Sequence, residues 1–185
     1  MRKRCWAWSA IWSVAVGVLL GGIPASAQVP CTVDTAGWQF NPGTGHWYKR
    51  TTIAVSWTEY DALAADWCGY PVTINDADEN AWIAASGLLD HTYEVWIGLN
   101  DHTLEGGFVW ANGETATYRN WDGGEPNSSR LDEDYATIYG SDAKKFPGKW
   151  NDFKEYGPWY GLVERDTEPI GEGEGEGEGE GEGEG

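Results

Sequence analysis

Histidine is scarce in this 185-residue chain, and its three copies, His46, His91 and His102, lack the spacing of a zinc site. No HExxH occurs, so nothing indicates zinc chemistry. Basic residues are few: 12 lysines and arginines stand against 30 acids, for a net charge of -18. That balance argues against a nucleic-acid partner, because phosphate backbones are bound by cations that displace counterions. Long apolar runs are missing too. The main one, Trp12 to Ile23, follows Arg2, Lys3 and Arg4 and precedes Ala25-Ser26-Ala27. This is the pattern of a secretory signal peptide over residues 1–27, cleaved before Gln28. The run is short for a span of about 20 residues, so no stable membrane span is expected in the mature chain. The expected location is secreted or extracellular, with the cell surface or periplasm included.

Loss of the leader takes the net charge from -18 to -21 and leaves two of three cysteines, Cys31 and Cys68. In an oxidising compartment they can pair. Equally, Cys31 lies in a loose leader and Cys68 near a turn, so both can remain free. The length suits one domain of about 100–200 residues.

What the chain does have is concentrated in residues 93–152. Three acid-and-amide clusters lie there: Asp101 with Glu105; Glu125, Asn127, Glu133 and Asp134; and Asn151 with Asp152. Tryptophans and glycines flank each cluster: Trp96, Gly98, Trp110, Trp121, Gly123, Gly124 and Trp150. Calcium takes about six to eight hard oxygen ligands from carboxylates, amide oxygens, carbonyls and water. An asparagine can give its oxygen to a metal and keep its NH2 for another acceptor. Glu125 and Glu133 can also be imagined as the paired carboxylates of a glycosidase. Their neighbours suit metal ligation better and no nucleophile arrangement accompanies them, so the expectation is not an enzyme.

The same stretch resembles the C-type lectin-like domain family. The matching residues are WIGL at Trp96–Leu99, Glu105 to Trp110, EPN at Glu125–Asn127, the Glu133-Asp134 pair and WND at Trp150–Asp152. The resemblance implies an α+β fold: two helices, small antiparallel sheets and a long calcium-binding loop. It implies Glu125, Asn127, Glu133, Asn151 and Asp152 as side-chain ligands of one Ca2+. It implies that Glu125, Asn127, Glu133 and Asn151 also hydrogen-bond two vicinal sugar hydroxyls that coordinate that ion. EPN is the family's mannose-type version. A second calcium would use Asp101, Glu105, Glu133 and Asp134, with Ser128 where the family often has a further ligand. The family's proline in EPN lies in a cis peptide bond, which here means Pro126. Animal members carry two conserved disulfides. Here Tyr135, a residue near Tyr156 and Val163 fill expected cysteine positions, as in bacterial members that pack the fold without those bridges.

In chain order, residues 28–36 read as a leader linker. Trp38 to Tyr48 reads as a hairpin about Asn-Pro-Gly-Thr-Gly, and Thr51 to Val55 as an extended piece. Ser56 and Glu59 form a capping box for a helix on which Tyr60, Leu63, Ala64 and Trp67 recur, ending at Cys68-Gly69. Val72 to Ile74 reads as a short buried strand. Asp76 and Glu79 open a second helix, with Ala77, Trp82 and Ile83 inward and Gly87 at its end. Strands are expected at Val95–Leu99, Phe108–Trp110, Ala116–Tyr118 after an Asn112-Gly113 turn, Tyr135–Ile138 and Trp159–Val163. Asn120 to Asp134 is nearly free of aliphatic residues and reads as a long loop that requires a functional reason. Residues 37–165 form the expected domain. Residues 166–185 end in alternating glycine and seven glutamates, a disordered tail or linker.

The functional expectation is a calcium-dependent carbohydrate-binding module whose partner is a carbohydrate or glycoconjugate. The alternative is a lectin-like scaffold that binds a protein or surface without sugar recognition.

Overall fold

The computed structural model describes residues 35–129 and 132–169. The expected signal peptide, Cys31, most of the leader linker and nearly all of the acidic tail lie outside the described residues. Ten elements follow one another: β1 (Gln39–Asn41), β2 (His46–Arg50), α1 (Trp57–Asp66), β3 (Tyr70–Pro71), α2 (Ala77–Ala85), β4 (Glu94–Asn100), β5 (Val109–Trp110), β6 (Tyr135–Tyr139), β7 (Trp150–Phe153) and β8 (Tyr160–Arg165). The strands form one sheet in the order β1-β2-β8-β4-β6-β7, with β3 added to β8 and β5 to β4. Every pairing is antiparallel except β4 with β8, where Val95 faces Tyr160 and Trp96 faces Gly161. This is the expected α+β fold. The last strand pairs with β2, so the end of the folded unit lies beside its beginning.

Local chemistry sets the helices. Ser56 Oγ accepts the Glu59 N–H, and the Glu59 carboxylate accepts the Ser56 N–H at 3.0 Å, closing the expected capping box. Trp57, Tyr60 and Ala64 form the buried stripe of α1. Asp76 caps α2 by accepting from the N–H groups of Asp78 and Glu79. The inward face of α2 departs from expectation. Ala77 is exposed, while Glu79, Asn80 and Ile83 are buried. The two polar residues are buried because each has work inside: Glu79 receives the Tyr48 hydroxyl at 2.7 Å, and Asn80 receives the Trp150 indole N–H at 2.8 Å.

β4 divides the core by simple alternation. Val95, Ile97 and Leu99 join one cluster with Ile74, Ile83, Ile138, Trp150 and Leu162. Trp96 turns the other way, toward Trp57, Tyr60, Tyr135 and Val163. Gly98 has no room for a side chain, since a Cβ would lie 2.6 Å from the Pro71 carbonyl oxygen.

Two expected strands, Val72 to Ile74 and Ala116 to Tyr118, are absent, and the extended piece before α1 pairs at one residue. Val72 to Ile74 is buried but irregular, because the Thr73 N–H goes to the Glu164 carboxylate at 2.9 Å and not to a strand. In Thr51 to Val55 only Val55 pairs, as an isolated bridge to Trp159. Ala116 to Tyr118 does not return as a strand. The Arg119 guanidinium takes the carbonyls of Phe108, Ala116 and Tyr118, and the Trp110 indole also donates to Ala116. Cys68 is disulfide-bonded, to a partner outside the described residues.

One polar group lies deep between β2, α2 and β8. His46 Nδ1 stands 2.6 Å from Glu164 Oε1, and Glu164 is fully buried. Burial pushes the Glu164 carboxyl up to about 7; the Thr73 N–H opposes this, and the nearby Glu79 charge adds to it. Burial pulls His46 down, but Glu164, Asp166 and Glu79 raise it overall above its usual value. Both groups hold a proton more tightly when folded. Each therefore contributes stability that is full below its unfolded pKa and is lost as pH rises through its folded one. We expect the fold to lose on the order of 1–3 kcal/mol between about pH 5 and pH 8. Urea denaturation across that range should show the fall, and Glu164→Gln should remove most of its slope.

Candidate functional site

The long segment between β5 and β6 contains no helix or extended strand among its described residues. It is nevertheless strapped to β7. Trp150 N–H donates to Asn120 O at 3.0 Å, and Asp122 N–H donates to Trp150 O at 2.8 Å. The Trp150 ring is fully buried and meets Trp110, Tyr118 and Trp121 edge-on, at centroid distances of 5.9, 5.6 and 5.8 Å. Asn151 and Asp152 are thus carried on a firm anchor.

Beyond the strap the chain turns through Gly124 and a cis Glu125–Pro126 peptide. Asp152, only 1% exposed, receives the next two amides. Asn127 N–H lies 3.1 and 3.0 Å from its two carboxylate oxygens, and Ser128 N–H lies 2.7 Å from Oδ2. Ser128 adopts a φ of 43°, a left-handed conformation fixed by that amide bond and by its hydroxyl bond to Glu105. The Asn127 side-chain amide donates to Glu125 Oε2, which leaves Asn127 Oδ1 as an acceptor. Burial raises the Glu125 carboxyl above its usual range; the Asn127 bond opposes this, and the adjoining Asp152 adds to it. Glu125, Asn127 and Asp152 therefore form one oxygen-rich group.

The other two expected ligands of the first site have different partners. Asn151 and Asp152 alternate across β7 and point to opposite faces. Asn151 Nδ2 lies 3.4 Å from Glu94 Oε2, which also receives the Thr137 hydroxyl at 2.6 Å. Glu133 accepts from the Ser129 amide and hydroxyl, each at 2.9 Å. Its charge adds to the rise that burial imposes on Glu94. Glu94 was not among the sequence candidates. Its signal was available: it lies two residues before Trp96 on β4 and so shares a face with it.

The second expected set is partly gathered. Asp101 is 2% exposed; its Oδ2 accepts the Gly106 N–H at 2.7 Å, and its Oδ1 is buried with no hydrogen-bond partner among the described residues. Burial raises its carboxyl, with Glu105 and Asp134 adding like charge against the Gly106 bond. Glu105 in turn accepts from Ser128. Asp101, Glu105, Asp134 and Ser128 thus converge, while the Glu133 carboxylate stays with Ser129. Among the described residues, no three His, Cys, Asp or Glu side chains stand close enough as placed to hold a metal ion. The donors are hard oxygens on loops, which suits calcium and magnesium rather than softer metals.

A recognition module is the class that this fold and its loop face define. The comparisons make it specific. Residues 53–156 match the lectin C-type domain, and the chain belongs to that family. It is 33% identical over 129 residues to human C-type mannose receptor 2, covering 69% of this chain and 8% of the receptor's length. The mouse scavenger receptor C-type lectin carbohydrate-recognition domain superposes with a TM-score of 0.63 at 24% identity, covering 73% of this chain and 98% of that one. The cow carbohydrate-recognition domain of CD23, solved in the presence of a GlcNAc2Man3 oligosaccharide, gives 0.60 at 26% identity, over 73% and 97% of the two chains. No described helix is long and apolar enough to cross a membrane.

The Asp152 carboxylate is the clamp between loop and strand. Asp152→Ala should cost on the order of 1–3 kcal/mol, since it leaves two amides without an acceptor. Hydrogen exchange should accelerate at Asn127 and Ser128 while the Trp150 amide stays protected.

Proposed function

We propose that residues 37–165 form a secreted, calcium-dependent carbohydrate-binding domain. Residues 1–27 serve as its signal peptide, 28–36 as a leader and 166–185 as a tail. The observation that carries this reading is the convergence of Glu125, Asn127 and Asp152 at the EPN and WND positions of a family whose bovine CD23 member was solved in the presence of an oligosaccharide. The residues fit the ion by two physical tests. Among the described residues Asp101 Oδ1 is a buried acceptor without a donor, an arrangement that is costly unless a cation completes it. Glu125 and Asp152 crowd like charge at one point, which a divalent cation relieves.

Glu125, Asn127, Glu133, Asn151 and Asp152 would hold one calcium; Asp101, Glu105, Glu133 and Asp134 would hold a second. The bound ion supplies positive charge and open coordination positions for two neighbouring sugar hydroxyls. Glu125, Asn127, Glu133 and Asn151 orient those hydroxyls by hydrogen bonds, the carboxylates accepting and the amides donating. Glu94, bonded to Asn151, fixes which way that amide faces. The EPN order favours mannose-type sugars, with equatorial 3- and 4-hydroxyls. Tyr135 and Val163, at the family's cysteine positions, make this a member with few cross-links. A monosaccharide offers little apolar area, so useful avidity needs several copies.

Calorimetric calcium titration followed by sugar binding with and without chelator tests this reading. The expected result is calcium binding, mannose binding only with calcium, and loss of mannose binding together with one of the two calcium ions in Glu125→Ala, with the circular dichroism of the fold unchanged. Sugar binding that persists in chelator, or in Glu125→Ala, would refute it.

A further inference from the structure

Nine lysines and arginines follow residue 27, and three of them, Lys144, Lys145 and Lys149, fall within six positions. They occupy the turn between β6 and β7, directly before Trp150. This turn is built firmly. Gly148 adopts a φ of 85°, and its N–H donates to Tyr139 O at 3.0 Å. Its carbonyl accepts from the side-chain amides of Asn80, at 3.1 Å, and Asn120, at 2.7 Å. Lys149 Nζ reaches Asn120 Oδ1 at 2.8 Å, and Lys145 Nζ reaches Asp122 Oδ2 at 2.7 Å. Asn120 and Asp122 are the strap that leads into Glu125, so the turn is bolted to the loop that carries the candidate ligand site. Lys145 is near enough to Glu125 that each charge acts on the other.

Lys145 and Lys149 therefore have structural duties. Lys144 does not: it is exposed and makes no hydrogen bond or ion pair with a described residue. Phe146, 77% exposed, stands two positions beyond it. An exposed ammonium and an exposed apolar ring thus flank Lys145, whose own ammonium is tied to the strap that leads into Glu125.

We propose that the Lys144–Phe146 turn is a second contact for the ligand, selecting saccharides that carry an anionic substituent, a sulfate ester or a carboxylate, beside the hydroxyls held at Glu125 and Asn127. The inference rests on the sugar-binding reading above. Lys144 supplies the charge, Phe146 faces the apolar side of the sugar ring, and Lys145 is a positioning residue that pins the turn to Asp122. Charge at the rim of a site acts chiefly on specificity. One exposed ion pair amounts to a gain of about 2- to 5-fold in affinity.

Matched sugars test this on the full chain with calcium. One pair is N-acetylglucosamine and its 6-sulfate; the other is glucose and glucuronic acid. The anionic member of at least one pair should bind about 2- to 5-fold tighter, and which pair responds identifies the anion. Raising the salt concentration should shrink the gain. Lys144→Glu should abolish it and leave the neutral sugar unchanged. Equal affinity within both pairs would overturn the proposal, as would a preference that survives Lys144→Glu. Binding of the anionic sugar in chelator would overturn it too, because the turn would then act as a separate anion site. If no neutral sugar binds, the sugar-binding reading itself falls, and this inference falls with it.

Discussion

The carboxylate of Asp152 is the constraint on which the ligand face depends. It is buried, and its oxygens receive two successive amides from a loop that has no regular structure of its own. A loop of acids and glycines cannot hold its shape by apolar burial. It borrows shape from β7, whose position is set by Trp150 one residue earlier. The order of dependence runs from core to strand, from strand to carboxylate, and from carboxylate to the loop that presents Glu125 and Asn127.

Aromatic packing secures that core. Trp150 has three edge-on aromatic neighbours, each pair contributing about 0.5–1.5 kcal/mol beyond area burial. Tyr135 lies with its ring centroid 4.7 Å from that of Trp57, and Val163 is buried in the same cluster. The fold has also accepted a cost: Glu79 and Glu164 lie close together in its interior, satisfied by backbone amides and by Tyr48 and His46.

Much of this was legible in the sequence because it rests on local rules. The Ser56–Glu59 box, the Asp76 cap, the first hairpin and the opposed faces of Trp96 and Ile97 each follow from spacing alone. The missing strands follow from distant partners that spacing does not register. Glu164 captures the Thr73 amide from 91 positions away. Arg119 captures carbonyls that would otherwise pair with a returning strand. The inward Glu79 and Asn80 of α2 have the same origin, since a polar residue is buried only when a remote partner awaits it. At the candidate site the motif positions marked segments that Asp152 ties together, the loop at Asn127 and Ser128 and the strand β7. They did not reveal that Asn151 turns to Glu94, a contact made across two strand pairings.

The sheet begins at β1 and closes at β8, and only β2 separates them. The two ends of the folded unit therefore emerge along one margin, while β6 and β7, which border the recognition loops, occupy the opposite flank. Mechanical load arriving through either flanking segment falls first on the β1–β2–β8 margin. Such load enters three strand pairings away from β7, the strand that carries Asn151 and Asp152.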